Sequence, residues 1–342
     1  MANNEQTNGI DLLEDEKQPL VLAFDTSTAA LAAALVSGGT VLQEVQYMAE
    51  RNHSVQIVSQ LKAMLAAAGV SARELDGIAV GRGPGSYTGM RIAASVAKTL
   101  AWVWDKPLAG VSSLEAIAYG AWHSGFGLQQ EASGAAAVDG AAAPEGAAAE
   151  GDASSAGVSG SSSGSDSGFG RSGAAGSGQS DAPGDAEESW TDWVVPLMDA
   201  RRGQVYTGGY AMHPDGRFER FAEDGVRLMD VWTASLLERA EQAQAPSDSA
   251  GRRPRIIWLT GDLSKHEEAA GRFAASVRDA FGPAGAGPEV RLYPYELEGR
   301  WTAWLGMKRI IGGDTDHAHT FVPNYTQLAE AEAKLLGKIR EA

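Results

Sequence analysis

The hydrophobic positions fall into short runs that switch between two periods. Leu20–Phe24 (LVLAF) ends on Asp25, Ala29–Val36 closes at Ser37-Gly38-Gly39-Thr40, and Val41–Tyr47 alternates apolar with polar residues. This predicts a strand, a hairpin and a third strand. Asn52–Ala68 then sets Ile57, Val58, Leu61, Met64 and Leu65 at helical spacing before Gly69 stops it. Asp76–Val80 predicts another strand, Gly81–Ser86 a glycine-rich turn, and Thr88–Trp104 a second helix ending before Pro107. Further on, Trp193–Met198 and Gln204–Tyr210 flank Asp199-Ala200-Arg201-Arg202-Gly203 as strand, turn and strand. Arg255–Thr260 reads as a strand, and Val231–Arg239, His266–Phe281, Trp301–Ile311 and Tyr325–Arg340 read as helices.

An opening hairpin meander followed by βαβ-like alternation predicts a ribonuclease-H-like or actin-like α/β architecture. At 342 residues the chain has room for two modest lobes with buried cores. The expected layout is a tail over 1–19, a first lobe over 20–112, and a second over 113–340 interrupted at 129–189. That interruption is rich in Ala, Gly and Ser, with ten acidic residues, one basic residue and a lone aromatic, Phe169. Such a composition cannot bury enough apolar surface to offset ordering its backbone, so a disordered acidic insert is expected. A long loop of this kind raises closure entropy only slowly.

The insert's net charge of −9 is more than half of the chain's −16. The remainder is mildly acidic and offers no basic footprint for a phosphate backbone, which argues against strong nucleic-acid binding by this chain alone. The absence of cysteine removes a disulfide framework, a thiolate metal site and a cysteine nucleophile together, and suits a reducing cytoplasm. Residues 1–18 have neither a basic n-region nor an apolar h-region and read as a tail, not a leader. No stretch approaches the roughly 20 apolar residues of a membrane span.

The sharpest local motif is Gly81-Arg82-Gly83-Pro84-Gly85-Ser86-Tyr87-Thr88-Gly89. Its spacing refuses a Walker A loop, which needs Lys-Ser/Thr after the last glycine, and a G-x-G-x-x-G fingerprint. Pro84, two residues before Ser86, refuses the G-x-S-x-G nucleophile elbow. A tight turn feeding a helix capped by Ser86 or Thr88 remains, with anion or nucleotide contact as the alternative. Asp25-Thr26-Ser27-Thr28 stands where actin-like ATPases and sugar kinases carry a glycine-containing phosphate hairpin; here Ser27 takes the glycine's place and crowds that approach. His53, His123, His213 and His266 are isolated in sequence and read as surface or capping residues. His317-x-His319 is a possible metal pair in a loop-like run without a recognisable third ligand.

The helix over Thr88–Trp104 has more apolar surface than one sheet can cover. Seating Ile92, Val96, Thr99 and Val103 on the sheet leaves Met90, Ala94, Ala97, Ala101 and Trp104 for a partner, and small residues let a second helix approach closely. A helix sandwiched within one chain is the alternative.

Taken together, Leu22–Thr28, the Gly83–Ile92 run, Asp199–Tyr206 and Pro323-Asn-Tyr325 followed by Ala329–Lys334 resemble the bacterial TsaB family, also called glycoprotease-like or M22-like. The resemblance implies an actin-like ATPase fold, two lobes of mixed sheets flanked by helices, without full catalytic equipment. It implies pairing with a TsaD-like transferase, which moves threonylcarbamoyl onto a tRNA adenosine, and a TsaE-like ATPase in the same complex. A homodimer when alone is also implied, with tRNA met only through the complex. ATP and metal then belong to the partner subunits, and this chain has no cofactor of its own. The docking surface is implied to lie on the two helices after the opening strands, which adds Met64 to the expected interface. TsaD-like enzymes carry an Asn-His-x-x-x-His metal motif; in the matching stretch, Gly110–Ile117, the histidine places hold Ser113 and Ile117. Neither replaces an imidazole ligand. An actin-fold small-molecule kinase and a metallopeptidase-like protein are the rival readings.

Overall fold

The computed structural model describes residues 18–48, 53–138, 191–213, 216–243, 254–282 and 287–326. Two five-stranded sheets with the same connectivity form its frame. In the first, β1 (Leu20–Asp25), β2 (Ala30–Ser37) and β3 (Thr40–Met48) run antiparallel. After α1 (His53–Ala67), β4 (Gly77–Gly81) pairs parallel with β1, and after α2 (Tyr87–Trp104), β5 (Leu108–Val111) pairs parallel with β4. The second sheet repeats this: antiparallel β6 (Thr191–Asp199), β7 (Gln204–Met212) and β8 (Phe218–Leu228), then α4 (Met229–Ala243), β9 (Pro254–Gly261), α5 (Glu267–Phe281) and β10 (Glu289–Pro294). The orders are 3-2-1-4-5 and 10-9-6-7-8.

Because successive strand residues face opposite sides, each sheet carries two cores. Leu22, Phe24, Leu31, Leu35, Ile78 and Val80 pack under α1 and α2, while Val21, Ala23, Ala34, Val36 and Ala79 pack against Ala303 and Met307 of α6 (Gly299–Ile311). In the second sheet, Trp193, Val195, Leu197, Ile257 and Leu259 pack under α4 and α5. The opposite face, with Val194, Tyr210, Met212, Ile256 and Trp258, meets Leu114, Ile117 and Ala118 of α3 (Ser113–Val138). The two lobes therefore exchange their last helices. The expected second lobe over 113–340 fits α3, which lies on the second sheet, but not α6, which comes from the end of the chain and lies on the first. The polar residues of α3 are too few to reveal this, because a helix buried on several sides shows no single apolar stripe.

Aromatic stacking fastens α3 to α6. Tyr119 stacks on Trp304 at 4.3 Å between ring centroids and His123 on Trp301 at 5.2 Å. Asp192 at the start of β6 is fully buried; it accepts from Arg255 Nε (3.0 Å) and Nη2 (2.8 Å) on β9, and from the indole N–H groups of Trp122 (3.1 Å) and Trp258 (3.4 Å). One carboxylate thus ties two strands to α3, and its loss would strand three donors in a largely dry site.

The first ten residues of the expected insert are helical, because α3 continues through Val138. Its remainder, the expected tail before Gln18, and the helix expected over Tyr325–Arg340 beyond residue 326 lie outside the described residues. Among the described residues, no helix is long and apolar enough to cross a membrane.

Candidate functional site

Helix α2 starts from the glycine-rich turn, with Ser86 as its N-cap; the Ser86 hydroxyl accepts from the Gly89 N–H at 3.3 Å, as the cap motif requires. Gly89 lies so close to the β1–β2 turn that a Cβ there would collide with the Thr26 carbonyl, and the Thr26 hydroxyl donates to the Gly89 carbonyl at 2.7 Å. The turn is a mechanical joint between α2 and the first hairpin. Asp105, with φ of 51°, ends the helix in the left-handed conformation and returns its N–H to the Ala101 carbonyl.

The phase of α2 is the reverse of that expected. Gly89, Met90, Ala93, Ala94, Ala97 and Ala101 face the sheet and are buried, and Met64 of α1 joins the same core. Trp104 is half-buried against it. Five of the six residues expected at a partner surface therefore serve the lobe's own core. The physical reason lies in the sheet: Leu22, Phe24, Ile78 and Val80 supply the bulk, so the helix above them must be small-faced to come close. The larger side chains turn the other way. Ile92, Val96 and Leu100 are half-buried at the rim, Trp102 is 67% exposed and Val103 61% exposed, and on α1 Val58 is 51% exposed. Tyr87 at the start of α2 meets Tyr325 with the rings tilted and centroids 5.3 Å apart, and Trp102 meets His319 edge-on at 6.3 Å. The surplus apolar surface on α2 is present, but on the opposite side from the small residues.

Behind this helix lies the cleft between the two sheets. Asp25 ends β1 fully buried; its carboxylate accepts from the Ser113 hydroxyl at 2.6 Å and the Ser27 N–H at 2.7 Å. Burial pushes the Asp25 carboxyl above its usual pKa, and the bonds from Ser113 and Ser27 draw it part of the way back. Ser113 Oγ also accepts from the Gly83 N–H at 3.1 Å, joining the β1 end to the glycine-rich turn. A Cβ at Gly81 would overlap the Asp25 carboxylate, so that strand end is filled from both sides. Ile117, one turn beyond Ser113, is a buried apolar residue at the cleft wall. Asp25 is thus a strand-end hydrogen-bonding residue.

The histidines disperse. His123 is half-buried in the α3–α6 stack, where burial, helped by the Lys308 charge, lowers its pKa to about 4. His213 is buried near Glu219 at 3.6 Å, and His266, at the N-cap position of α5, is buried with Nε2 3.4 Å from Asp199 Oδ1. The surface reading of His123 and His213 fails: the His123 ring packs among the α3 and α6 aromatics, and His213 is 7% exposed. His317 and His319 lie exposed after α6 with ring centroids 5.3 Å apart, and among the described residues they gather no third histidine or carboxylate into a metal cluster.

Comparison with known proteins agrees with this geometry. Residues 41–141 match the family model TsaD: tRNA N6-adenosine threonylcarbamoyltransferase. A Bacillus subtilis protein named tRNA threonylcarbamoyladenosine biosynthesis protein TsaB is 28% identical over 314 residues, covering 92% of this chain and 96% of its own. The Escherichia coli protein of the same name is 39% identical over 102 residues, covering 30% of this chain and 44% of its own. Among solved structures, a Pseudomonas aeruginosa chain described as similar to peptidase YEAZ superposes with a TM-score of 0.53 at 20% identity, covering 90% of this chain and all of that one. The paired meander-and-crossover sheets with exchanged last helices make this an actin-like ATPase-fold protein. Within that class the chain is similar to proteins named TsaB, one of them over nearly its whole length.

Proposed function

We propose that this protein takes part in forming N6-threonylcarbamoyladenosine in tRNA as a non-catalytic scaffold that docks a TsaD-like transferase. The observation that carries the reading is the outward face of α2, where Trp102 and Val103 stand exposed, with Val58 of α1 exposed as well. A tryptophan of that exposure has on the order of 150 Å² left to bury, worth on the order of 4 kcal/mol before association costs. Such residues are the usual anchors of a protein interface.

The absence of catalysis is supported by the chemistry at two positions. Where the resemblance puts imidazole ligands, Ser113 spends its hydroxyl on Asp25 and Ile117 fills apolar space. A TsaE-like ATPase would join the same assembly, tRNA would be met through the complex, and a homodimer would use the same face when the partner is absent. ATP and metal would be held by the partner subunits, and the assembly would work in the cytoplasm.

The test is depletion of this protein from its cell followed by reintroduction of wild-type and Trp102→Arg chains, with tRNA nucleosides read by mass spectrometry. The wild-type chain restores threonylcarbamoyladenosine and the variant does not. Full restoration by Trp102→Arg would remove the face from the account.

A further inference from the structure

The surface around α2 has a charged half beside the apolar one. The segment 317–325, which follows α6, runs alongside the helix: His319 meets Trp102, the Phe321 carbonyl accepts from Lys98 Nζ at 3.1 Å, and Tyr325 meets Tyr87. Tyr87, Arg91, Lys98 and Trp102 follow at spacings of four, seven and four residues, so they form one stripe along the helix. The two ends of the stripe are exposed aromatic rings, and the two positions between them are cations.

Those cations have no carboxylates. Among the described residues, Lys62, Arg73, Arg82, Arg91, Lys98 and Lys106 are the basic side chains of the first lobe up to Ser112, and none of them forms an ion pair. Elsewhere Arg220, Arg255, Arg300 and Arg309 are each paired with an acidic residue. In a chain of net charge −16 acidic residues are plentiful, so a face that keeps its cations unpaired presents positive charge to whatever approaches it.

Arg82 shows the need for an anion directly. It sits in the glycine-rich turn after β4, held by its N–H donating to the Val111 carbonyl at 2.8 Å and its carbonyl accepting from the Asn324 N–H at 2.7 Å. The side chain is half-buried, its Nε is closed to solvent, and the guanidinium has neither a hydrogen bond nor an ion pair among the described residues. The Thr326 hydroxyl, two residues beyond Asn324, is likewise closed to solvent and without a partner. A buried donor left without an acceptor is costly, and a carboxylate taken in bidentate fashion satisfies a guanidinium best.

We infer that Arg82, Arg91 and Lys98 receive carboxylates of the protein that docks on α2, whose surface is therefore acidic opposite the start of the helix and apolar opposite Trp102. The inference rests on the docking reading above and adds the chemistry of the partner to it. Exposed charges such as Arg91 and Lys98 speed and orient the encounter, whereas a carboxylate closed over Arg82 slows dissociation.

The test is the binding kinetics of the full chain with a purified TsaD-like transferase, read by biolayer interferometry from about 0.05 M to about 0.5 M sodium chloride. The wild-type association rate falls about tenfold or more across that range. The double variant Arg91→Gln, Lys98→Gln associates about threefold or more slowly at low salt, loses most of the salt dependence and keeps the wild-type dissociation rate. Arg82→Gln raises the dissociation rate about tenfold or more and keeps the wild-type midpoint in urea. Arg278→Gln, which removes an exposed cation from α5 of the second lobe, changes neither rate. Association independent of salt, or wild-type rates in the variants of Arg82, Arg91 and Lys98, would overturn the inference and leave the docking face standing. A lowered urea midpoint in Arg82→Gln would give that guanidinium a partner in its own chain and remove it from the surface. No complex at any salt would overturn the docking reading and this inference with it.

Discussion

Arginine at position 97 and arginine at position 102 separate the two faces of α2. Ala97 is 0% exposed, with Ala93, Ala94 and Ala101 beside it and Phe24 and Val80 in the same core. A longer side chain there overpacks the core at about 1–3 kcal/mol. Its charge has no buried partner, which adds several kcal/mol more unless the helix shifts to release it. A total above about 4 kcal/mol is a large part of the 5–15 kcal/mol that holds a typical domain together. At Trp102 the same substitution exchanges an exposed ring for an exposed cation and should stay within about 0.5 kcal/mol. Urea titration followed by circular dichroism reads the difference. With a slope of about 2–3 kcal/mol per molar, Ala97→Arg moves the midpoint down by at least about 1 M or leaves the chain unfolded in buffer, while Trp102→Arg keeps the wild-type midpoint. A wild-type midpoint for Ala97→Arg would show that the small-residue face is outward, and the phase assigned to α2 would be wrong.

Two further outcomes follow from groups buried away from that helix. Asp192→Ala removes the acceptor shared by Arg255, Trp122 and Trp258 and should cost about 3 kcal/mol, at the lower end of the roughly 3–5 kcal/mol range for a broken buried pair because Arg255 is partly solvated; a loss under about 1 kcal/mol in chemical denaturation would show the three donors finding other acceptors. His123 has its pKa lowered to about 4, so between pH 6.5 and 4 the unfolded chain takes up a proton that the folded chain does not. Stability should fall across that window by on the order of 3 kcal/mol and level off below it, and His123→Gln should flatten this part of the profile. An unchanged profile in the variant would place the acid sensitivity elsewhere.

Elements that bury one face and expose the other were legible in the chain. The alternation at Val41–Tyr47, the helical spacing at Asn52–Ala68 and the apolar runs at Leu20–Phe24 and Arg255–Thr260 all became the expected elements, within a few residues at their ends. Where that contrast is missing, pattern gave no handle. Strand β8 reads FERFAEDGVRL and β10 reads EVRLYP, both at sheet edges with charged and half-exposed residues, and neither was anticipated. Helix α3 opens SLEAIAYGAWHSGFG and is buried along its described length between a sheet and α6, so no polar stripe marks its phase.

The apolar excess of α2 was legible in the sequence and misjudged as to side. Counting apolar residues on α2 detects that two surfaces are served, but which surface takes the alanines depends on the bulk of Phe24 and Val80 beneath, more than sixty and fewer than twenty residues away in sequence. The cleft was legible as separate motifs only. Nothing in the spacing of Ser27, Ser86 and Asp199 announces that they share one cavity, because the two halves of the fold that bring them together come from distant segments.

The central claim is that this chain offers a surface to a TsaD-like enzyme instead of reacting groups. Size-exclusion chromatography of the purified full chain mixed with a TsaD-like transferase tests it most directly, run with wild-type protein and with Trp102→Arg. The account predicts a stable complex for the wild type and separate peaks for the variant. Separate peaks for the wild type, or an undiminished complex for Trp102→Arg, would contradict it.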